Sequence, residues 1–246
     1  MEPIYRKKYF ISATQVNCFD RLKNSQMLAI LQEVAGDHSA LLGTDWDTLS
    51  GRDLFWAVIR YRVEIQQLPR SGEEITVETW PMPTTRTAYP RATVAYNADG
   101  KELFRGISLW VLMSLSTRAM VLPGKSGVQV DGCLRGSELS VPDSLLPKEL
   151  TNCQSRTVRF SDLDINGHMN NCRYMEWVDD LLPAAFHAEH SPKELVVCYL
   201  SEAREGESMD ITWELTDDGA LQVDAQRQED SASIGHSRVF SAQVRF

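Results

Sequence analysis

A chain of 246 residues, 43% hydrophobic and 24% charged, has the composition of a globular protein and is long enough for two similar units or one large domain. It contains no apolar run of about 18 residues, which argues against a membrane span, and its opening MEPIYRKKYF lacks the apolar stretch of a signal peptide, so a cytoplasmic protein is expected. The net charge of −9 is uneven, with 15 basic against 13 acidic side chains in residues 1–128 and 10 against 21 in residues 129–246; without a dense basic stripe no nucleic-acid partner is expected, and an anionic macromolecule would approach the first half more easily.

In chain order, residues 5–11 (YRKKYFI) read as a strand. Asn24–Leu42 reads as a helix, because Met27, Ile30, Leu31, Val34, Leu41 and Leu42 follow a period near 3.6. Asn24 or Ser25 serves as N-cap and Gly43 as the stop. Extended runs follow at Leu54–Leu68, Glu74–Pro81, Arg86–Asn97 and Glu102–Ser116, rich in Val, Ile, Thr, Trp and Tyr. Residues 117–150 hold several prolines and glycines without periodicity and read as a connecting segment. The second half repeats the order: a strand at Gln154–Phe160, a polar loop at Ser161–Asn170, a helix over Asn171–Phe186, and strands at Glu194–Glu202, Ser208–Leu215, Ala220–Gln228 and His236–Phe246. A long helix preceding an antiparallel sheet must bury its apolar stripe on that sheet. The expected organisation is therefore a first unit at 1–128, a linker at 129–150 and a second unit at 151–246. The five cysteines (Cys18, Cys133, Cys153, Cys172, Cys198) are odd in number and form no CxxC pair, so they read as free buried thiols with no metal site.

Phe160–Asn171 is the segment richest in chemistry. Asp162, Asp164, Asn166, His168, Asn170 and Asn171 crowd carboxylates, carboxamides and an imidazole into about ten residues. Asp164, Asn166 and His168 at i, i+2 and i+4 project to one side of an extended or turn backbone. A carboxylate that orients an imidazole, with a carboxamide to hold a water or carbonyl, is a sensible hydrolytic set. The backbone N–H groups of Met169, Asn170 and Asn171, at the tip of the following helix, are candidate oxyanion donors. On spacing alone the loop reads equally well as a helix-capping turn.

The run Ser-Asp-Leu-Asp-Ile-Asn-Gly-His-Met-Asn-Asn-Cys-Arg-Tyr at 161–174 resembles the signature of the acyl-acyl carrier protein thioesterases, a family of plant plastid and shorter bacterial enzymes. The stretches at 28–39 (LAILQEVAGDHS) and 55–65 (FWAVIRYRVEI) are similar to its first-half signatures. The resemblance implies an α+β fold, a tandem (double) hotdog in which each unit is a long helix wrapped by an antiparallel sheet. It implies release of free fatty acid from acyl carrier protein, which is the acyl donor and partner, with no cofactor. No plastid transit peptide precedes the match, which points to a bacterial source, and a homodimer is allowed. The catalytic Asp, Asn and His fall on Asp164, Asn166 and His168, and a further acidic residue falls on Glu202. Plant members carry a Cys after that Glu where this chain has Ala203, which argues against a thiol nucleophile and for a water route or an Asp164 nucleophile. In that reading Glu202 and His168 polarise a water, Asn166 positions water or thioester, and Asp164 orients Asn166 and His168.

Met27, Leu31 and Val34 read as core, and by the resemblance as lining for the acyl chain. Asp37 and His38 have the look of an acid–imidazole pair, but the first unit lacks the Asp-x-Asn-x-His run, so they would shape a tunnel or an interface. Arg86, Arg91, Arg118 and Lys125, or the Arg6-Lys7-Lys8 cluster, are candidate docking cations for acidic carrier protein. His187, His190 and His236 show no ligand spacing. Two rivals remain: a hotdog hydrolase of acyl-coenzyme A, and a non-catalytic acyl-binding hotdog protein.

Overall fold

The computed structural model describes residues 3–228 and 238–246, in two compact units, Met1–Pro142 and Asp143–Phe246. Unit 1 runs β1 (Tyr5–Phe10), α1 (Asn24–Leu41), α2 (Trp46–Ser50), β2 (Leu54–Ile65), β3 (Glu74–Pro81), β4 (Tyr89–Tyr96), β5 (Glu102–Ser114), β6 (Met120–Val121) and α3 (Pro123–Ser126). Its strands pair antiparallel in the order β1-β3-β4-β5-β2. Unit 2 runs β7 (Asn152–Thr157), a 3-10 turn at Phe160–Asp162, α4 (Arg173–Asp179), α5 (Ala184–Glu189), β8 (Glu194–Tyr199), β9 (Ser208–Leu215), β10 (Ala220–Arg227) and β11 (Arg238–Arg245). Its order, β7-β9-β10-β11-β8, is that of unit 1 strand for strand.

The α1 helix forms because its apolar positions recur at helical spacing and have a sheet to cover. Met27, Leu28, Ile30, Leu31 and Val34 are all buried, and each such side chain contributes about 1.5–3 kcal/mol. The fit to β5 is tight at Gly106, where a Cβ would come within 2.9 Å of Leu31 Cδ2, so any side chain there would force the Leu31 side chain to shift. The helix starts at Asn24 as expected, but its cap differs: Met27 N–H donates to Lys23 O at 2.9 Å, Lys23 is the N-cap without a side-chain bond, and Asn24 and Ser25 are buried in the first turn. It stops at Gly43, whose φ of +68° suits glycine.

Strand ends are shorter than the hydrophobic pattern suggested. The run at 54–68 ends at Ile65 because the N–H groups of Gln66 and Gln67 both turn onto Leu103 O. The short α2 helix, unforeseen in an Asp- and Gly-rich stretch, is capped by Asp45, whose carboxylate accepts from Thr48 N–H at 2.8 Å. The segment read as structureless holds β6 and α3, and its continuation lies along the unit 1 sheet: Cys133 N–H donates to Pro81 O, Arg105 to Ser137 O and Arg62 to Ser140 Oγ.

Unit 2 departs from the expectation of one long helix. The span 171–186 is two short helices, α4 and α5, with Pro183 as the N-cap of the second. Proline has no N–H to donate and disfavours helical backbone at the residue before it, so the helix cannot run through. His236 and the start of the strand expected at 236–246 lie outside the described residues. Of the cysteines, Cys198 is buried, Cys133 and Cys172 are half-buried, and Cys18 and Cys153 are exposed rather than buried. Among the described residues no helix is long and apolar enough to cross a membrane and no group of His, Cys, Asp and Glu is placed to hold a metal.

Candidate active site

The polar loop folds on itself before it meets anything else. Its two arms are bridged at Leu163 and Met169, Asp164 N–H donates to His168 O at 2.8 Å and Gly167 N–H to Asp164 O at 3.0 Å. Gly167 turns the chain with φ +75°, a conformation that costs glycine little. Asp164 is the centre of the turn: Oδ1 accepts from the backbone N–H of Asn166 at 2.8 Å and of His168 at 3.4 Å, and Oδ2 from Asn166 Nδ2 at 3.4 Å. The turn holds Ile165 at its tip, 97% exposed.

A single backbone bond then brings two distant residues together. Met169 N–H donates to Ala203 O at 2.8 Å, which sets residue 168 beside residue 202. His168 Nε2 lies 3.1 Å from Glu202 Oε2; the imidazole is nearly buried and the carboxylate is 41% exposed. The carboxylate stays open to solvent beside the nearly buried ring. Asp164, expected to orient the imidazole, instead holds the backbone of His168, and Glu202 is the carboxylate that touches the ring.

The expected oxyanion donors are corrected in part. The N–H groups of Met169 and Asn170 are spent on Ala203 O and Asp162 O, so neither can receive an oxyanion. The Asn171 N–H makes no hydrogen bond among the described residues, and its carbonyl is pinned by Tyr199, whose hydroxyl donates to it at 2.8 Å. Cys172, next to the loop, is no nucleophile: burial first, then the charge of Glu176, pushes its thiol up to about 12.

Two supporting residues were not foreseen. Tyr199 ends β8 and aims the Asn171 peptide. Arg227, at the end of β10, spreads its guanidinium over the turn that carries Glu202: Nε donates to Glu207 Oε2 at 2.9 Å, Nη1 to Ser201 Oγ at 3.1 Å and Nη2 to the Glu202 carbonyl. Neither residue belongs to a motif. Arg227 sits in the run Ala225-Gln226-Arg227-Gln228, and only its strand position brings it to residue 202.

Other expectations fare differently. Met27, Leu31 and Val34 are solid core; the cavity in unit 1 is lined instead by Gln32, Ala35, Gly36 and Ser39 on a neighbouring face of α1, because the 27-31-34 stripe is the one that packs on the sheet. Asp37 and His38 do not form a pair: Asp37 takes Lys7 at 2.7 Å, while His38 Nδ1 lies 3.0 Å from Arg91 Nη1. Arg91 is buried and so cannot meet a partner at the surface. Arg6, Lys7 and Lys8 are each paired with acidic neighbours, Glu78, Glu33 with Asp37, and Glu74, which weakens that cluster as a docking patch. Arg86, Arg118 and Lys125 are exposed.

Fold and site together define an α+β protein of antiparallel sheets carrying a carboxylate–imidazole pair in unit 2. Residues 2–122 match the model of the acyl-ACP thioesterase N-terminal domain and residues 147–244 that of the C-terminal domain, and the chain belongs to the acyl-ACP thioesterase family. It is 27% identical over 211 residues to the chloroplastic palmitoyl-acyl carrier protein thioesterase of Gossypium hirsutum, a match covering 80% of this chain and 50% of that one. The chain spans about half the length of the curated relatives it matches first. Its fold is similar to the crystal structure of an acyl-ACP thioesterase from Bacteroides thetaiotaomicron, with TM-score 0.87 and 23% identity over 99% of this chain and 98% of that one. It is also similar to the 12:0-ACP thioesterase of Umbellularia californica, with TM-score 0.81 and 21% identity over 100% and 97%.

Proposed function

We propose that this protein hydrolyses the thioester of acyl-acyl carrier protein and releases free fatty acid, ending chain elongation. The observation that carries the reading is the 3.1 Å contact between His168 and Glu202 on a loop whose sequence resembles the family's signature and lies within the stretch matched to its C-terminal domain. In this mechanism Glu202 takes a proton from a water as its oxygen attacks the thioester carbon. The oxyanion that forms is received by the Asn171 N–H and the Asn166 carboxamide. The C–S bond then breaks, and the proton passes through His168 Nε2 to the leaving thiolate. Asp164 is the structural centre of the loop. Its oxygens already accept three N–H groups, which makes it a poorer nucleophile than a water, and the buried Cys172 thiol offers none. Ile165 and Phe160, apolar and exposed at the loop, give the acyl substrate an apolar approach.

The same reading takes each unit as a hotdog and the chain as a tandem pair, with residues 1–128 as the acyl-chain and carrier-docking half and 151–246 as the catalytic half. The identical strand order of the two sheets supports it. Arg86, Arg118 and Lys125, all exposed, are the candidate docking cations for an acidic carrier protein.

The test is turnover of palmitoyl-carrier protein and palmitoyl-coenzyme A by the full chain and by His168→Ala. A higher kcat/KM on the carrier-protein thioester, lost roughly 10²–10⁴-fold in the variant, is expected. A preference for the coenzyme A thioester would reassign the substrate, and turnover that survives in His168→Ala would remove the site.

A further inference from the structure

We propose that unit 1 holds a binding site for an aliphatic carboxylate, with its head on the Arg91 guanidinium and its body in the aromatic cavity beside it. The cavity measures about 240 Å³, larger than the roughly 150 Å³ voids that admit a benzene. Trp56, Tyr89 and Trp110 form much of its wall, with Trp56 and Tyr89 in edge contact at 4.8 Å. The polar atoms of that wall are committed to each other: Trp56 Nε1 donates to Thr44 O, Trp110 Nε1 to Ser108 Oγ, and the Tyr89 hydroxyl lies 2.9 Å from Ser126 Oγ.

Arg91 is the exception. It lines the same cavity and is 8% exposed. Its Nη1 reaches His38 Nδ1 at 3.0 Å and Thr79 Oγ1 at 3.3 Å. A guanidinium has five N–H donors, and the three on Nε and Nη2 find no acceptor among the described residues. No carboxylate there pairs with it either. The His38 contact is through a ring nitrogen, not a carboxylate. Burial lowers the guanidinium to about 10, which leaves it cationic at neutral pH. A buried cation without a counter-ion is costly, and an anion from outside removes that cost. The open fork fits a planar carboxylate. One cation surrounded by apolar wall balances a single negative charge and would leave a phosphate dianion half compensated.

The proposal rests on unit 1 alone and not on the hydrolytic reading. Its test is titration of the full chain with octanoate and with octan-1-ol, read by calorimetry and by the fluorescence of Trp56 and Trp110. Octanoate is expected to bind at least tenfold more tightly than octanol, and Arg91→Met to erase that advantage while leaving octanol binding unchanged. Equal binding of the two ligands to the unaltered protein, which needs no variant to fold, overturns the proposal, as does an octanoate advantage that survives in Arg91→Met. Gly36→Leu narrows the mouth at a helical position where a Cβ meets no heavy atom within 4 Å, and leucine favours the helix. It should weaken both ligands about tenfold; unchanged octanoate affinity would place the ligand elsewhere and overturn the site. Two sources share this chemistry, the free acid and an acyl group with a carboxylate at its far end. An Arg91-dependent tenfold preference for 7-carboxyheptanoyl over octanoyl thioester assigns the second; Arg91-dependent octanoate binding without that preference assigns the first. Absence of all hydrolysis would refute the thioesterase reading and leave the binding result standing.

Discussion

Glu202→Gln isolates the chemistry of the site from its architecture. The amide keeps the shape of the carboxyl group and an oxygen for His168 but cannot take a proton from water. A general base contributes about 10²–10⁴-fold, equivalent to roughly 2.7–5.5 kcal/mol at 1.36 kcal/mol per decade. The cost in stability is far smaller. The Glu202 side chain is 41% exposed, so its contact with the imidazole is screened and contributes about 0–1 kcal/mol. For a chain of this size that is a shift in Tm of no more than about 4 °C. The assay is single-turnover release of fatty acid from palmitoyl-carrier protein, with a thermal melt in parallel. The expected result is a hundredfold or greater loss of rate with Tm nearly unmoved, and little further loss when His168→Ala is added, since residues that act as a unit are not additive. A variant that keeps more than a tenth of the rate refutes the base role. A fall in Tm of roughly 10 °C refutes the reasoning that this carboxylate is structurally dispensable.

Cys172→Ala should keep its rate within about threefold at neutral pH, because a thiol pushed up to about 12 by burial is protonated there and cannot attack; a large loss, or inactivation by iodoacetamide that tracks this residue, would contradict it. Glu78 is buried between Arg6 and Arg135: burial alone would raise its carboxyl, but the two guanidiniums outweigh that and hold it below its ordinary 4.5. A lowered folded value means that the pairing stabilises fully above about 4.5 and is lost as pH falls through the lower value; Glu78→Gln should cost about 1–3 kcal/mol at pH 7 and flatten the acid limb of the stability curve, and an unchanged limb would show that other carboxylates carry it. Gly106→Ala sets a Cβ 2.9 Å from Leu31 Cδ2 and should cost about 1–3 kcal/mol in urea unfolding. Arg227→Lys keeps a charge against Glu207 but loses the fork over Ser201 and Glu202, so kcat should fall roughly 10- to 100-fold with KM held; equal loss in both, tracking Tm, would reduce Arg227 to a structural role.

The sheets were legible in the sequence because strands at 74–81 and 208–215 carry their own signals, β-branched and aromatic runs bounded by turns, and both ranges match. The α1 helix was legible from a different local signal, the apolar period near 3.6 residues. What misled were events decided by a few hydrogen bonds. The expected cap at Asn24 or Ser25 failed because the first helical bond forms from Met27 to Lys23, which leaves Asn24 and Ser25 already inside the helix. The long helix of unit 2 failed at Pro183, whose effect on the preceding backbone outweighed the apolar spacing that runs across it.

For the site, the local part was written in one stretch of chain. Asp164, Asn166 and His168 meet because the turn at Gly167 folds ten residues back on themselves, so short-range spacing suffices. Glu202 lies 34 positions from His168, and no spacing rule could join them; the family resemblance pointed to it, and the Met169 to Ala203 backbone bond is the physical reason it arrives. The same bond explains why the oxyanion expectation was too broad, since a loop can dock its N–H on a strand or offer it to a substrate, but not both. Arg227 and Tyr199 escaped notice because their roles depend on reach across the sheet: each is an ordinary strand residue until the register sets it beside the turn at 200–207 or the carbonyl of Asn171. A site built this way reads from sequence only as far as its chemistry is local, and the residues that hold it in place are found by asking where each buried donor goes.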